Sequence, residues 1–114
     1  MSPEAQELLL YADNDGRLYN RSFMPIVENL KRRVQRGQYN PTLATKLWMY
    51  HAERAAKAYE KEFMNPGEWN KVFPMSARKE AAAHWESYAR REHLKITSHD
   101  RTRSKRRHNR FNVR

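Results

Sequence analysis

The sequence predicts an all-α protein, a compact bundle of about four helices followed by a basic C-terminal arm. Three observations carry that prediction. Apolar residues recur at helical spacing through most of residues 3–93. No run of alternating β-branched residues occurs anywhere. The last fourteen residues, RTRSKRRHNRFNVR, hold seven Arg or Lys and no acid. A chain of 114 residues suffices for one modest core. The expected division is a helical domain over residues 1–95 and a tail over 96–114.

The helices follow in order. Ser2-Pro3-Glu4 is a start signal: a capping hydroxyl, a proline whose missing N–H costs nothing in a first turn, and an early carboxylate. The first helix is expected to end near Ala12, in the turn Asp13-Asn14-Asp15-Gly16, with Gly16 at positive φ. The second centres on Pro25–Arg36, where Ile26, Leu30 and Val34 fall at i, i+4, i+8 and Gly37 stands at the C-terminal cap position. Asn40-Pro41 opens the third and longest, about Pro41 to Phe63. Its apolar arc holds Ala44, Leu47, Trp48, His51, Ala52, Ala55, Ala58, Tyr59 and Phe63. Leu43 and Tyr50 lie on its charged side, so more than one face is expected to be covered. Pro66-Gly67 and Phe73-Pro74 bracket a loop containing Trp69. Ser76 then caps a fourth helix to about His93, with Ala77, Ala81, Trp85, Tyr88 and Ala89 inward. Alanine-rich inner faces let the third and fourth helices pair closely and antiparallel.

Composition excludes much chemistry. There is no cysteine, hence no disulfide, thiolate zinc site or cysteine nucleophile. The longest apolar run, near Leu8–Ala12, is far short of the roughly twenty residues a membrane span needs. The N-terminus is acidic before its short apolar patch, the reverse of a secretory signal. A soluble, intracellular protein with no membrane partner is expected. Read as an EF-hand, the Asp-Asn-Asp-Gly turn would place Tyr11 and Ser22 where carboxylates are required. The histidines show no metal-ligand spacing, and His51, inside an apolar arc, reads as a core histidine bonded to a buried partner. No nucleophile motif or phosphate-cradling loop is present. No enzyme, cofactor or metal is expected.

Charge is the informative feature. The formal net charge is +10, and residues 101–114 supply +7 of it, leaving 16 basic and 13 acidic side chains in residues 1–100. So dense a block buries little apolar surface and is expected to be disordered in isolation. Arg101, Arg103, Lys105, Arg106, Arg107, Arg110 and Arg114 are each able to displace a counterion from a polyanion. Phe111 adds a ring on which a base can stack, beside His108 and Asn109. On the second helix Asn29, Arg32, Arg33 and Arg36 fall in one sector opposite the apolar stripe, and guanidinium forks match phosphate oxygens. Nucleic acid, RNA or DNA, is therefore the favoured partner. The alternative is a protein–protein module acting on a host factor through an aromatic surface at Trp69, Phe73 and Met75, with the tail steering it to acidic surfaces.

Four motifs carry a resemblance: NDG-x-LY at Asn14–Tyr19, PI-x-x-NL at Pro25–Leu30, G-x-Y at Gly37–Tyr39, and an Ala-rich helix ending in KEF at Leu43–Phe63. Over this first half the chain resembles short accessory proteins of tailed bacteriophages. The resemblance implies a virus-encoded protein working in the bacterial cytoplasm or packaged in the particle. It implies no activity and no site residues.

Overall fold

A computed structural model of the chain describes residues 1–96; the C-terminal arm, with its seven basic residues and Phe111, lies outside the described residues. The all-α expectation holds: no strand occurs among the described residues.

Helix α1 spans Pro3–Asp13, with the Ser2 hydroxyl accepting the Ala5 N–H at 3.1 Å. Ala5, Leu8, Leu9 and Ala12 form its buried stripe. The turn that follows does not behave as the sequence suggested. Gly16 has no positive φ, and the chain re-enters a helix there, because the Asp15 carboxylate accepts the Leu18 N–H at 2.9 Å as an N-cap. Helix α2 (Gly16–Leu18), a π-helical segment (Tyr19–Phe23) and α3 (Met24–Gln35) then run without a break. The second helix thus starts well before the expected Pro25.

The wide turn has two physical consequences. Proline inside a helix offers no N–H to the carbonyl four residues back and crowds it. A π turn, with Met24 N–H bonded to the Tyr19 carbonyl, lets the backbone reach Pro25 without breaking. It also corrects the facing. A uniform advance of about 100° per residue would scatter Leu18, Phe23, Val27 and Leu30 over about half the wheel, and the slower advance of the wide turn gathers them. All four are buried.

Helix α3 ends as expected. Gly37, at φ 67°, lets Gln38 N–H reach back to the Arg33 carbonyl at 2.7 Å, a Schellman closure. Asn40 then caps α4 (Pro41–Phe63), its side-chain oxygen accepting the Thr42 and Leu43 N–H groups.

Helix α4 packs chiefly on α6 (Met75–Glu92). His51 meets Trp85 and Tyr59 meets Phe73, so the residue numbers run in opposite senses and the pair is antiparallel. Ala52, Ala55, Ala81 and Ala89 are sealed between them, with Trp48 and Trp85 filling the remaining volume. Truncating a fully buried ring of this size to alanine costs about 3–5 kcal/mol. A second neighbour, α1, covers α4 at its other end through Tyr11, whose ring meets Tyr59 edge-on at 5.1 Å.

Several expected core residues are corrected. Phe63 is 60% exposed, because α4 outruns the elements that cover it. Tyr88 is 39% exposed and Tyr50 58%, so α4 is left open to solvent at Tyr50. Ser76 does not cap α6. Pro74 stands at that position, and its missing N–H is no loss before a first turn. After α6, Lys95 takes a positive φ of 56°. Leu94 and Ile96 on either side of it are buried, so the body reaches at least one residue past its expected limit.

Candidate functional site

The expected anion-binding face of α3 is outward as predicted, but its members differ. Arg32 and Arg36 are exposed and make no ion pair among the described residues. Arg33 is half-buried, and its Nε donates to Asn29 Oδ1 at 3.0 Å. The amide thus orients a guanidinium instead of standing free beside it. On the same helix Lys31 pairs with Glu28 at 3.7 Å, an exposed contact worth little in water. Arg32, Arg33 and Arg36 thus share the last turns of α3 and its cap, while Arg101, Arg103, Lys105, Arg106, Arg107, Arg110, Phe111 and Arg114 lie outside the described residues.

The aromatic loop proposed as a protein-docking surface folds back onto the body. Phe73 is 1% exposed and packs edge-on against Tyr59. Trp69 begins the short helix α5 (Trp69–Val72), its N–H donating to Glu60 at 2.7 Å. Its ring is covered by two cations, Lys57 at 5.3 Å and Arg78 at 4.8 Å. Arg78 is fixed there by donating to the Phe73 carbonyl at 2.9 Å. Of that trio only Met75 stays exposed.

The sequence did not reveal what lies on the other side of the α4–α6 pair. His51, on α4, is 1% exposed, and its Nδ1 lies 2.7 Å from the Ser22 hydroxyl on the π segment. Arg54 Nη1 donates to that same hydroxyl at 3.0 Å. With its oxygen accepting from Arg54, Ser22 still has a hydrogen to give to Nδ1, and on that basis the imidazole proton is assigned to Nε2. The buried partner expected for His51 is thus Ser22. Burial, with the Arg54 charge adding to it, pushes the His51 pKa down from 6.5 to about 4, so the ring is neutral near neutrality.

This ring borders a cavity of about 280 Å³. Its buried walls are Ala12, Phe23, His51 and Trp85, and its more accessible ones are Asp13, Tyr19, His84, Tyr88 and His93. Seven of the nine are planar rings. Tyr19 stacks on Phe23 at 5.4 Å, and His93 meets Phe23 and Tyr88 edge-on at 5.3 and 5.7 Å. The Trp85 indole N–H donates to Asp13 Oδ1 at 3.0 Å, which fixes the carboxylate at the cavity edge. The His93 pKa is lowered, chiefly by burial and further by the charges of Lys31 and Lys95.

Histidines distant in sequence therefore share one cavity. Still, no three His, Asp or Glu among the described residues are arranged to hold a metal ion. The legible signal was Tyr19, in a segment that the sequence left without an element. Among the described residues no helix is long and apolar enough to cross a membrane. No family model matches the chain, no curated protein matches it, and no solved structure matches its fold.

Proposed function

We propose that the protein is a nucleic-acid-binding accessory protein, phage-encoded, that grips phosphates through its Arg-rich arm and the outer face of α3. The observation that carries this reading is the uncompensated charge: seven basic groups in residues 101–114 without one acid, on a body with a net charge of +3. Exposed Arg32 and Arg36, without acidic partners among the described residues, extend the same chemistry onto the body. The fold-back of Phe73 and the cations over Trp69 reduce the surface that the protein-docking alternative leaned on, with Met75 still exposed.

Its test is a salt titration of the intact chain and a 1–100 truncation on single-stranded RNA, duplex RNA and duplex DNA. If all seven charges neutralise phosphates, the log–log slope reaches about −5 on a single strand and about −6 on duplex DNA, as upper limits. Truncation is expected to remove most of that slope and most of the affinity. Phe111→Ala is expected to leave the slope unchanged and to cost about 1–3 kcal/mol where a base stacks on the ring. No binding by the intact protein at moderate salt, or a slope untouched by truncation, defeats the proposal.

A further inference from the structure

The cavity between α1, the π segment, α4 and α6 has a lining that selects its occupant. Its volume, about 280 Å³, sits at the small end of ligand sites, which run about 300–1,000 Å³, and suits one ring system. Its walls are almost all aromatic faces and edges, with Ala12 the one aliphatic side chain. Such walls favour a planar, polarisable guest over a branched aliphatic one.

Two polar atoms at the cavity are uncommitted. His51 Nδ1 is taken by Ser22, and Nε2, which carries the proton, has no hydrogen-bond partner among the described residues. Asp13 Oδ1 is taken by Trp85, and Oδ2 has no such partner. A nearly sealed imidazole with an unused N–H and an unused carboxylate oxygen therefore line the same cavity. Together they ask for a guest with both an acceptor and a donor on its edge.

The surrounding charge narrows the choice. An aromatic cage with one carboxylate would suit an organic cation, but Lys31, Lys95 and Arg54 stand near these rings against Asp13 and Glu92, with Lys31 paired to Glu28. Lys95, exposed and without an ion pair among the described residues, offers an anion a partner near the mouth. A planar heterocycle with donor and acceptor edges, joined to an anionic group, is a nucleotide.

We propose that this cavity is a nucleobase pocket: it takes one unpaired base between Tyr19, Tyr88 and the buried rings, with His51 Nε2 and Asp13 at the base edge and the attached phosphate toward Lys31 and Lys95. The inference rests on the nucleic-acid reading for the source of the base, a strand as opposed to a free mononucleotide. It adds single-strand preference, because a base inside a duplex has no free face to offer.

The test uses the full chain. Imidazole resonances of His51 and His93 and the fluorescence of the tryptophans are followed on adding adenosine, cytidine, guanosine and uridine 5′-monophosphates. Ribose 5-phosphate is the base-free control, and a ten-nucleotide single strand and its duplex complete the set. At least one mononucleotide or the strand is expected to move both histidine signals, whereas ribose 5-phosphate moves neither. A response to the strand alone identifies a strand base as the guest, and a response to mononucleotides at similar concentration identifies a free nucleotide. Tyr19→Ala and Tyr88→Ala alter half-exposed rings, and circular dichroism verifies their fold. Each is expected to weaken single-strand binding about 5- to 150-fold, with duplex affinity and salt slope unchanged. Tyr88→Phe, which keeps the ring, is expected to retain most of the affinity.

Unmoved histidine signals together with undiminished single-strand affinity in both alanine variants overturn the pocket. That result leaves the arm reading standing wherever the salt slope persists. Mononucleotides that move the signals in a chain that binds no strand would do the reverse.

Discussion

Acidification should expose His51 as a liability of the core. Its pKa is pushed down from 6.5 to about 4 in the folded protein, while in the unfolded chain it returns to its ordinary value. The unfolded state therefore binds the extra proton first. Stability is unaffected above about pH 6.5, falls as pH drops through the interval to about 4, and loses nothing further from this group below that. At about 1.4 kcal/mol per tenfold, the whole interval amounts to a ceiling of roughly 3 kcal/mol, most of it gone by about pH 4.5. His93, whose pKa is also lowered, acts in the same direction, so the two must be separated. His51→Gln does so, since its amide oxygen can still accept from Ser22 but does not titrate. Urea unfolding of both proteins from pH 7 to 4.5 gives the comparison. The variant is less stable near pH 7, where it loses ring packing against Trp85 and Phe23. Its deficit should shrink by about 2 kcal/mol or more on acidification. A deficit that stays constant with pH would show that the ring is protonated as easily inside the fold as outside, and the buried Ser22–His51–Arg54 arrangement would be wrong.

Two stability predictions follow from the α4–α6 seam and the buried carboxylate. Ala81→Leu inserts a branched side chain where a methyl group is sealed against α4, and should cost about 1–3 kcal/mol or more, read as a lower denaturant midpoint. Glu86 accepts the Tyr39 hydroxyl at 2.6 Å and lies 3.4 Å from Arg90 Nε, so Glu86→Ala should cost about 1.5–3 kcal/mol in the same assay. A neutral Ala81→Leu would place the α4–α6 contact elsewhere, and a neutral Glu86→Ala would mean that the Tyr39–Glu86 bond contributes nothing.

What was legible in the sequence was local. Ser2, Gly37 and Asn40 act within one turn of the backbone they cap, and each is where the sequence put it. Helix α4 has the bounds that its proline, its cap and its apolar arc implied. The errors arose where one residue type serves two conformations. Asp15 can close a turn or open a helix, and only the packing of Leu18 and Phe23 decides between them. Pro25 looked like a start because a proline in mid-helix is costly, and the wide turn before it is invisible to a fixed 100° wheel. The wheel also turned Tyr88 and Phe63 inward, since it reports direction and not how far the neighbouring element extends. The cavity was illegible for a further reason: its walls come from residues 12 to 93 and share no spacing.

Arm and cavity are close neighbours in sequence, and on the proposed reading each takes a distinct share of recognition. His93 borders the cavity, Lys95 turns the backbone through a positive φ, and Ile96 is pinned in the core. In sequence, the arm therefore begins only a few residues after a side chain that borders the cavity. On the proposed reading, the arm collects polyanions of any sequence and strandedness, because counterion release depends on charge alone. On the same reading, capture by an arm so close in sequence to the cavity raises the effective concentration of the strand for the pocket. A pocket with weak intrinsic affinity for one base then suffices to discriminate single strands from duplexes. On this reading charge supplies affinity without selectivity, and the rings supply selectivity without needing much affinity. A basic arm on a body with only +3 of its own is the distribution that such a division of labour requires.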